Sequence, residues 1–216
     1  MIKLSDFSFG YTDLLFRNID MEISTSQITV LSGKTGVGKT TFLKILSGLI
    51  TNFSGTILLN RTSLKNLSIK QISKYLIYHK QEPKDNLVAT TPYEDLKLWL
   101  FNEKKIDEKK IYNALKIFEL SFKKDTPAWQ LSGGEAKKVG LSSLILFPEK
   151  YWLIDEPISG LDKNSREIFL NLLSNKKENK QGALIVTHNP EIFSSVADYF
   201  IILENGKFIK DEKFKR

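Results

Sequence analysis

Between Ile28 and Leu49 the chain reads ITVLSGKTGVGKTTFLKILSGL, a stretch that leaves few folds open to it. Ile28 to Leu31 is short, apolar and rich in β-branching, the pattern of a buried strand. Within Thr41 to Leu49, residues Phe42, Leu43, Ile45, Leu46 and Leu49 recur at helical spacing. Between the two, Gly33 to Thr40 fits G-x-x-x-x-G-K-[ST], a phosphate-binding loop. Its glycines let the backbone curl until successive N–H groups face a chain of phosphates, and the helix N-terminus adds partial positive charge. Gly33, Lys34, Thr35, Gly36, Val37, Gly38, Lys39, Thr40 and Thr41 therefore make a candidate nucleotide cradle. Lys39 would reach the β- and γ-phosphates, and the Thr40 hydroxyl would coordinate Mg²⁺. The bland alternative is a glycine-rich turn before a helix, and the correct flanks on both sides disfavour it.

Such a loop needs a sheet to carry it, and 216 residues suffice for one large domain or for a domain with an inserted lobe. The absence of cysteine excludes disulfides, zinc-thiolate sites and thiol catalysis. No apolar run reaches membrane-spanning length, and Met1 leads into IKLSDFSF without a signal-peptide pattern, so a soluble intracellular chain is expected. The net charge of +7 raises nucleic acid or an anionic membrane surface as partners. The basic residues, however, are nearly all lysines mixed with acids, and the arginines are only Arg17, Arg61, Arg166 and Arg216. Base recognition leans on arginine forks, so a solvated lysine-rich surface is the expectation, with no nucleic-acid partner. Clusters such as Lys104–Lys105, Lys109–Lys110 and Lys123–Lys124 read as exposed helix faces and loops.

Along the chain, Ile2–Phe9 and Ile19–Ser24 alternate as strands, with GYTDLLFRN between them as a loop carrying Tyr11. Gly55–Leu59 and Tyr75–His79 are further strands, and Pro92–Phe101 and Asp107–Leu120 are helices, the second with Asp107 as N-cap. Leu131–Glu135, LSGGE, opens a helix that runs to about Phe147. Tyr151–Pro157 is a buried strand ending in two acids, Asp162–Leu173 an amphipathic helix, and Ala183–Thr187 a strand ending at His188. Tyr199–Leu203 and Lys207–Ile209 form a hairpin around Asn205-Gly206, and the last residues, DEKFKR, are expected to fray. Strands alternating with helices imply an α/β fold with a largely parallel sheet.

Asp155 and Glu156 end the apolar run YWLI downstream of the phosphate loop. A carboxylate in that position can hold Mg²⁺, and a second beside the γ-phosphate can orient or deprotonate the attacking water. His188 ends another apolar strand and can donate to a γ-phosphate, although alone it reads equally as a capping histidine. His79 has only a bland reading, and Gln81 is a loop amide able to contact Mg²⁺ and water.

The order Tyr11, GKTGVGKTT, Gln81, LSGGE, LIDEP, SGLD at Ser159–Asp162 and VTHNP resembles, over the whole chain, an ABC-type ATPase subunit. The resemblance implies a P-loop NTPase (RecA-like) core of about 1–81 and 131–216, with a small antiparallel β-layer and an inserted helical lobe of about 82–130, in one domain of 1–216. It implies that Tyr11 stacks on adenine, that Asp155, Thr40 and Gln81 attend Mg²⁺, that Glu156 is the general base and that His188 is a switch histidine. Ser132, Gly133 and Gly134 would open a helix toward the ATP of a second ATPase subunit, with Asp162 at the dimer interface. Two departures stand out: Glu135 where glutamine is usual, and Ala136-Lys137-Lys138 in a stretch that usually contains arginine.

Gln81–Asp95, QEPKDNLVATTPYED, is similar to the region after the glutamine in energy-coupling-factor and cobalt-type importers. Pro83, Leu87, Val88, Ala89, Thr90, Glu94 and Asp95 agree with that pattern, while Asn86 stands where glutamine is frequent. The resemblance thus implies an ATP- and Mg²⁺-dependent motor of an importer for a vitamin or transition-metal ion, bound to the cytoplasmic face of the membrane through integral-membrane subunits. The alternatives are the ATPase of an exporter or lipoprotein-releasing complex, a non-transport ABC ATPase acting on DNA or ribosomes, and a degenerate nucleotide-binding scaffold. Residues 84–96 disfavour the first, the lack of a coiled-coil insertion or a second fused ATPase domain the second, and the intact Glu156 and His188 the third.

Overall fold

The computed structural model describes residues 1–101 and 106–210, the side chains of Lys84 and Asp85 excepted. Lys104–Lys105 and the terminal DEKFKR lie outside the described residues. The chain divides into two compact units, one of 1–78, 149–156 and 173–216, the other of 79–148 and 157–172.

In chain order the elements are β1 (Ile2–Gly10), β2 (Leu14–Ile23), β3 (Ile28–Ser32), α1 (Lys39–Leu46), β4 (Ser54–Leu59), β5 (Thr62–Ser63), α2 (Ile69–Ile72), β6 (Leu76–His79), α3 (Pro92–Trp99), α4 (Glu108–Ile117), α5 (Gly133–Ile145), β7 (Tyr151–Asp155), α6 (Lys163–Glu178), β8 (Ala183–Val186), β9 (Tyr199–Glu204) and β10 (Lys207–Lys210). The first unit holds two sheets. One is antiparallel, in the order β2-β1-β4-β5; the other runs β10-β9-β3-β8-β7-β6. In the second sheet β3 pairs in parallel with β8 and β9, and β7 in parallel with β8. The hairpin β9–β10 turns on Asn205 and Gly206, both at positive φ (50° and 74°), as a two-residue turn of that composition requires.

One expectation fails. The segment from Gly10 to Asn18 is not all loop, because β2 already begins at Leu14. Alternation hid it: β1 and β2 slip register between Phe7 and Gly10, and Asn18 takes a φ of 46°. The slips turn Phe16 fully into the core. There Phe7, Phe16, Phe42 and Phe208 form an aromatic cluster with ring centroids 4.8–6.2 Å apart, which fixes α1 against the antiparallel sheet. The helix after Asp162 also runs longer than expected, to Glu178, because its later turns carry Leu173 and Lys176 inward.

The second unit is mainly helical. Leu96 of α3, Ile111, Ala114 and Leu115 of α4 and Val139 of α5 are all buried, the apolar stripes their spacing predicts. Asp107 caps α4 by accepting from Lys109 N–H at 3.0 Å. Among the described residues no helix is long and apolar enough to cross a membrane.

Lys176 is the costly member of the first unit. It is 3% exposed, with its ammonium 4.1 Å from the Trp152 ring centroid and donating to Lys150 O at 3.0 Å. Burial pulls its pKa down to about 7, against a smaller opposing pull from Glu149. In the unfolded chain the group keeps its ordinary value of 10.5. The unfolded state therefore binds more protons between those values, and the cost is full below about 7 and fades toward 10.5. Lys176→Met should stabilise the protein by on the order of a few kcal/mol near pH 6, with the gain shrinking toward pH 10. Denaturant unfolding of both proteins at the two pH values checks this.

Candidate functional site

The strand register assembles the chemistry in the first unit. Leu31 and Asp155 both pair with Val186, so the C-terminal ends of β3, β7 and β8 stand at one level. Three exits therefore open at the same edge: the phosphate loop after β3, Glu156 after β7 and Thr187-His188 after β8. Main-chain bonds stitch these exits together, Thr187 N–H to Leu31 O at 3.1 Å and Glu156 N–H to Val186 O at 2.9 Å. Ligands of parallel α/β sheets sit at this edge.

The loop turns into α1 through Gly38, the N-cap, at φ 109°. A Cβ there would stand 3.2 Å from the Phe16 ring, in a backbone conformation other residues rarely adopt. Lys39 curls back over the loop, donating to Gly33 O at 2.7 Å and Lys34 O at 2.9 Å. Its pKa is lowered by burial, opposed by the charges of Glu156 and Asp155. The ammonium is thus within the field of both acids, on a loop otherwise built from N–H donors. Thr40 and Thr41 lie in the first turn of the same helix.

Asp155 is 1% exposed and ends β7. Glu156 takes a φ of 47°, unusual for a residue with a side chain, and this turns the chain so that both acids serve one edge. Its carboxylate is held at both oxygens. Thr187 Oγ1 donates to Oε2 at 3.2 Å, and His188 Nδ1 lies 2.9 Å from Oε1. An ionised carboxylate only accepts, so His188 donates from Nδ1 in that state. Thr187 in turn accepts from Asn189 N–H at 3.1 Å. Tyr11 stands on the β1–β2 turn, 71% exposed, with its ring edge-on to Phe9 at 5.1 Å.

The second unit carries the remaining candidates. Gln81 follows β6 and is exposed; its carbonyl accepts from the Lys137 ammonium at 3.3 Å. Asn86 closes the loop behind Gln81, accepting from Lys80 N–H at 2.9 Å and donating to Lys80 O at 2.8 Å and Glu82 O at 3.1 Å. Ser132 is the N-cap of α5, and Gly133 and Gly134 are its first residues. Ser132 and Glu135 form a reciprocal capping box. Asp162 caps α6 through Ser165 N–H at 2.8 Å and the Ser165 hydroxyl at 2.9 Å, and pairs with Lys138 at 3.7 Å.

Sequence reading missed three supporting roles, those of Thr187, Asn86 and Lys137. The Ser132–Glu135 spacing, S-x-x-E before an apolar helix, was a legible capping signal. Nothing local marks Thr187 or Lys137, whose partners are 31 and 56 residues away.

The chain belongs to the ABC transporter family, whose model matches residues 16–159. It is an ATPase of that family. Among its relatives, a protein of Archaeoglobus fulgidus described as an ABC transporter ATP-binding protein is 29% identical over 97% of this chain and 73% of its own length. The energy-coupling factor transporter ATP-binding protein EcfA2 of Caldanaerobacter subterraneus is 28% identical over 95% of this chain and 77% of its own. Other relatives, from Clostridium tetani and Treponema denticola, are longer, and the chain spans 46% and 45% of them. Among solved structures, cbiO1 of Clostridium perfringens, part of the cbiONQ transporter complex, superposes with a TM-score of 0.78 at 27% identity, over 96% of this chain and 86% of that one. The dimeric cassette MJ0796 bound to ADP and Pi superposes with 0.87 over the full length of both chains, and at 23% identity supports the fold alone.

Lys39→Ala should abolish nucleotide binding if this loop is the nucleotide cradle, since it removes the loop's buried ammonium. Equilibrium titration with a labelled ATP analogue decides it; unchanged affinity would mean this loop is not the nucleotide site.

Proposed function

We propose that the chain is the ATP-hydrolysing subunit of a membrane transporter, working as one of a pair of cassettes, and that the transporter is an energy-coupling-factor-type importer of a vitamin or transition-metal ion. The observation that carries the ATPase mechanism is Glu156, buried at the strand edge with both carboxylate oxygens held by Thr187 and His188.

ATP is the substrate. Tyr11 receives the adenine, and residues 33–41 wrap the phosphates with N–H groups. Lys39 exchanges the Gly33 and Lys34 carbonyls for phosphate oxygens. Thr40 and Asp155 supply a hydroxyl and a carboxylate, hard oxygen donors that suit Mg²⁺, with Gln81 as a further oxygen donor. Among the described residues no group of three His, Cys, Asp or Glu could hold a metal by itself. Held there, Mg²⁺ would supply charge neutralisation to the phosphates. Glu156 accepts a proton from the attacking water as the bond to the γ-phosphorus forms and the β–γ bridge breaks, leaving ADP and inorganic phosphate. His188 steadies Glu156 and senses the γ-phosphate.

Ser132, Gly133 and Gly134 offer an N-terminal helix turn to the ATP of a second cassette, and Asp162 lies at that dimer interface. A single chain then holds half of each composite site, and two must pack head to tail. The pair sits on the cytoplasmic face of the membrane through its transmembrane subunits. The importer reading is supported by the QEPKDNLVATTPYED stretch and by the names of EcfA2 and cbiO1.

Glu156→Gln keeps the shape and loses the base, so turnover should fall roughly a hundred- to ten-thousand-fold while ATP still binds. The ATP-loaded dimer should then accumulate in size-exclusion chromatography with ATP and Mg²⁺. A variant that stays monomeric, or that hydrolyses at the wild-type rate, removes Glu156 from this role.

Coupling to the membrane subunits is assigned to the loop after Gln81. Val88 is 80% exposed there, its N–H tied to Asp95 Oδ1 at 2.8 Å, so the apolar side chain is presented by a fixed backbone. Val88→Asp should abolish pull-down of the membrane subunit and transport while leaving soluble ATPase nearly unchanged. Lost soluble ATPase would instead mean that Val88 serves the packing of its own unit.

A further inference from the structure

Glu135 is a departure that the proposed function does not absorb. Its carboxylate occupies the first turn of α5, where Oε2 accepts from Ser132 N–H at 2.9 Å. Glutamine would make the same capping box without charge. Glutamate places a full negative charge beside Ser132, Gly133 and Gly134, the turn assigned to the phosphates of a partner's ATP. An anion arriving there meets repulsion that the helix terminus alone, worth about half a charge, does not cancel.

The chain supplies the missing charge from elsewhere in the same unit. Lys123 ends the short 3₁₀ turn Ser121–Lys123, and its ammonium lies 2.5 Å from Glu135 Oε1. Both side chains are mostly shielded, at 27% and 22% exposure, so the pair is screened less than a surface ion pair. Lys123 is also anchored through its N–H to Leu120 O at 2.9 Å.

Resting on the proposed function, we infer that Lys123 is a positioning residue that neutralises Glu135 and so keeps the Ser132–Gly134 turn receptive to the ATP phosphates of a second cassette. Protonation does not offer an alternative route. The Lys123 ammonium first, then the Ser132 N–H, hold the Glu135 carboxyl down to about 2. The carboxylate is therefore charged at neutral pH, and a counter-cation offsets its effect.

The test is the ATP dependence of hydrolysis by the full chain as wild type, Lys123→Met, Glu135→Gln and the double variant, at low and high salt. Lys123→Met should raise the ATP concentration for half-maximal rate about tenfold, with a smaller change in kcat, and added salt should shrink the defect. In the Glu135→Gln background, with no charge left to neutralise, the same substitution should have no effect. Lys123→Arg should behave as wild type. Half-saturation unchanged in Lys123→Met, or a double variant that loses as much relative to Glu135→Gln as Lys123→Met loses relative to wild type, overturns the inference; the second outcome would make Lys123 a packing residue. If Lys123→Met does not fold, Lys123→Gln carries the same comparison. A wild-type chain without ATPase activity overturns the proposed function, and this role with it. An active wild type without the coupling overturns this role alone.

Discussion

The contact on which the turn from loop to α1 depends is a ring beneath a glycine. Phe16 lies under Gly38, close enough that a Cβ would stand 3.2 Å from it. Gly38 in turn is the residue through which the phosphate loop enters α1. Phe42, one turn into that helix, packs on Phe16 at 5.8 Å, and Phe208 of β10 lies nearly parallel to Phe16 at 5.8 Å. The Lys39 side chain ties the loop to itself through the Gly33 and Lys34 carbonyls, and the rest of its curvature comes from what it rests on. Here it rests on the antiparallel sheet and the terminal hairpin. That gives β1, β2 and β10 a part in shaping the proposed nucleotide cradle.

The strand register does the rest of the positioning. With Leu31, Val186 and Asp155 at one level, three sequence-distant exits open at one edge, and two main-chain bonds hold the spacing. The backbone cost of Glu156 at φ 47° is on the order of 1–3 kcal/mol. It is offset locally by the N–H bond to Val186 O and by the two side-chain bonds to the carboxylate. The reward of that geometry is a carboxylate whose direction is set before any substrate arrives. Preorganisation of this sort is what a general base needs, since a freely rotating carboxylate would lose most of its encounters with water.

The parts of this arrangement that a local pattern specifies were legible. The loop is a fixed string of residues, the strand-end acids come after an apolar run, and the helices show their stripes. Phe16 was not legible. It sits within LLFRN, where the bulged pairing of β1 and β2 breaks the alternation by which strands are recognised. Thr187 was also hidden: a threonine at a strand end is ordinary, and its value lies in reaching a carboxylate 31 residues away. Both failures have one cause. Pattern reading sees what a residue does for its own element, whereas these two act on another.

The same distinction bears on the departures around the signature helix. Taken singly, Glu135, Lys137, Lys138 and Asn86 look like erosion of a motif. In space each has a partner within its own unit. Glu135 has Lys123, Lys137 reaches the Gln81 carbonyl, Lys138 pairs with Asp162, and Asn86 bonds the main chain on both sides of Gln81. Random drift in a disused site would leave buried charges without partners, which is costly at any position shielded from water. Lys137 is buried and nonetheless bonded to the main chain at Gln81, the residue proposed as a further oxygen donor to Mg²⁺. The substitutions therefore form a matched set around Gln81 and the Ser132–Gly134 turn. Lys137 and Asn86 hold the main chain around Gln81, and Lys123 holds the Glu135 that caps the Ser132–Gly134 turn.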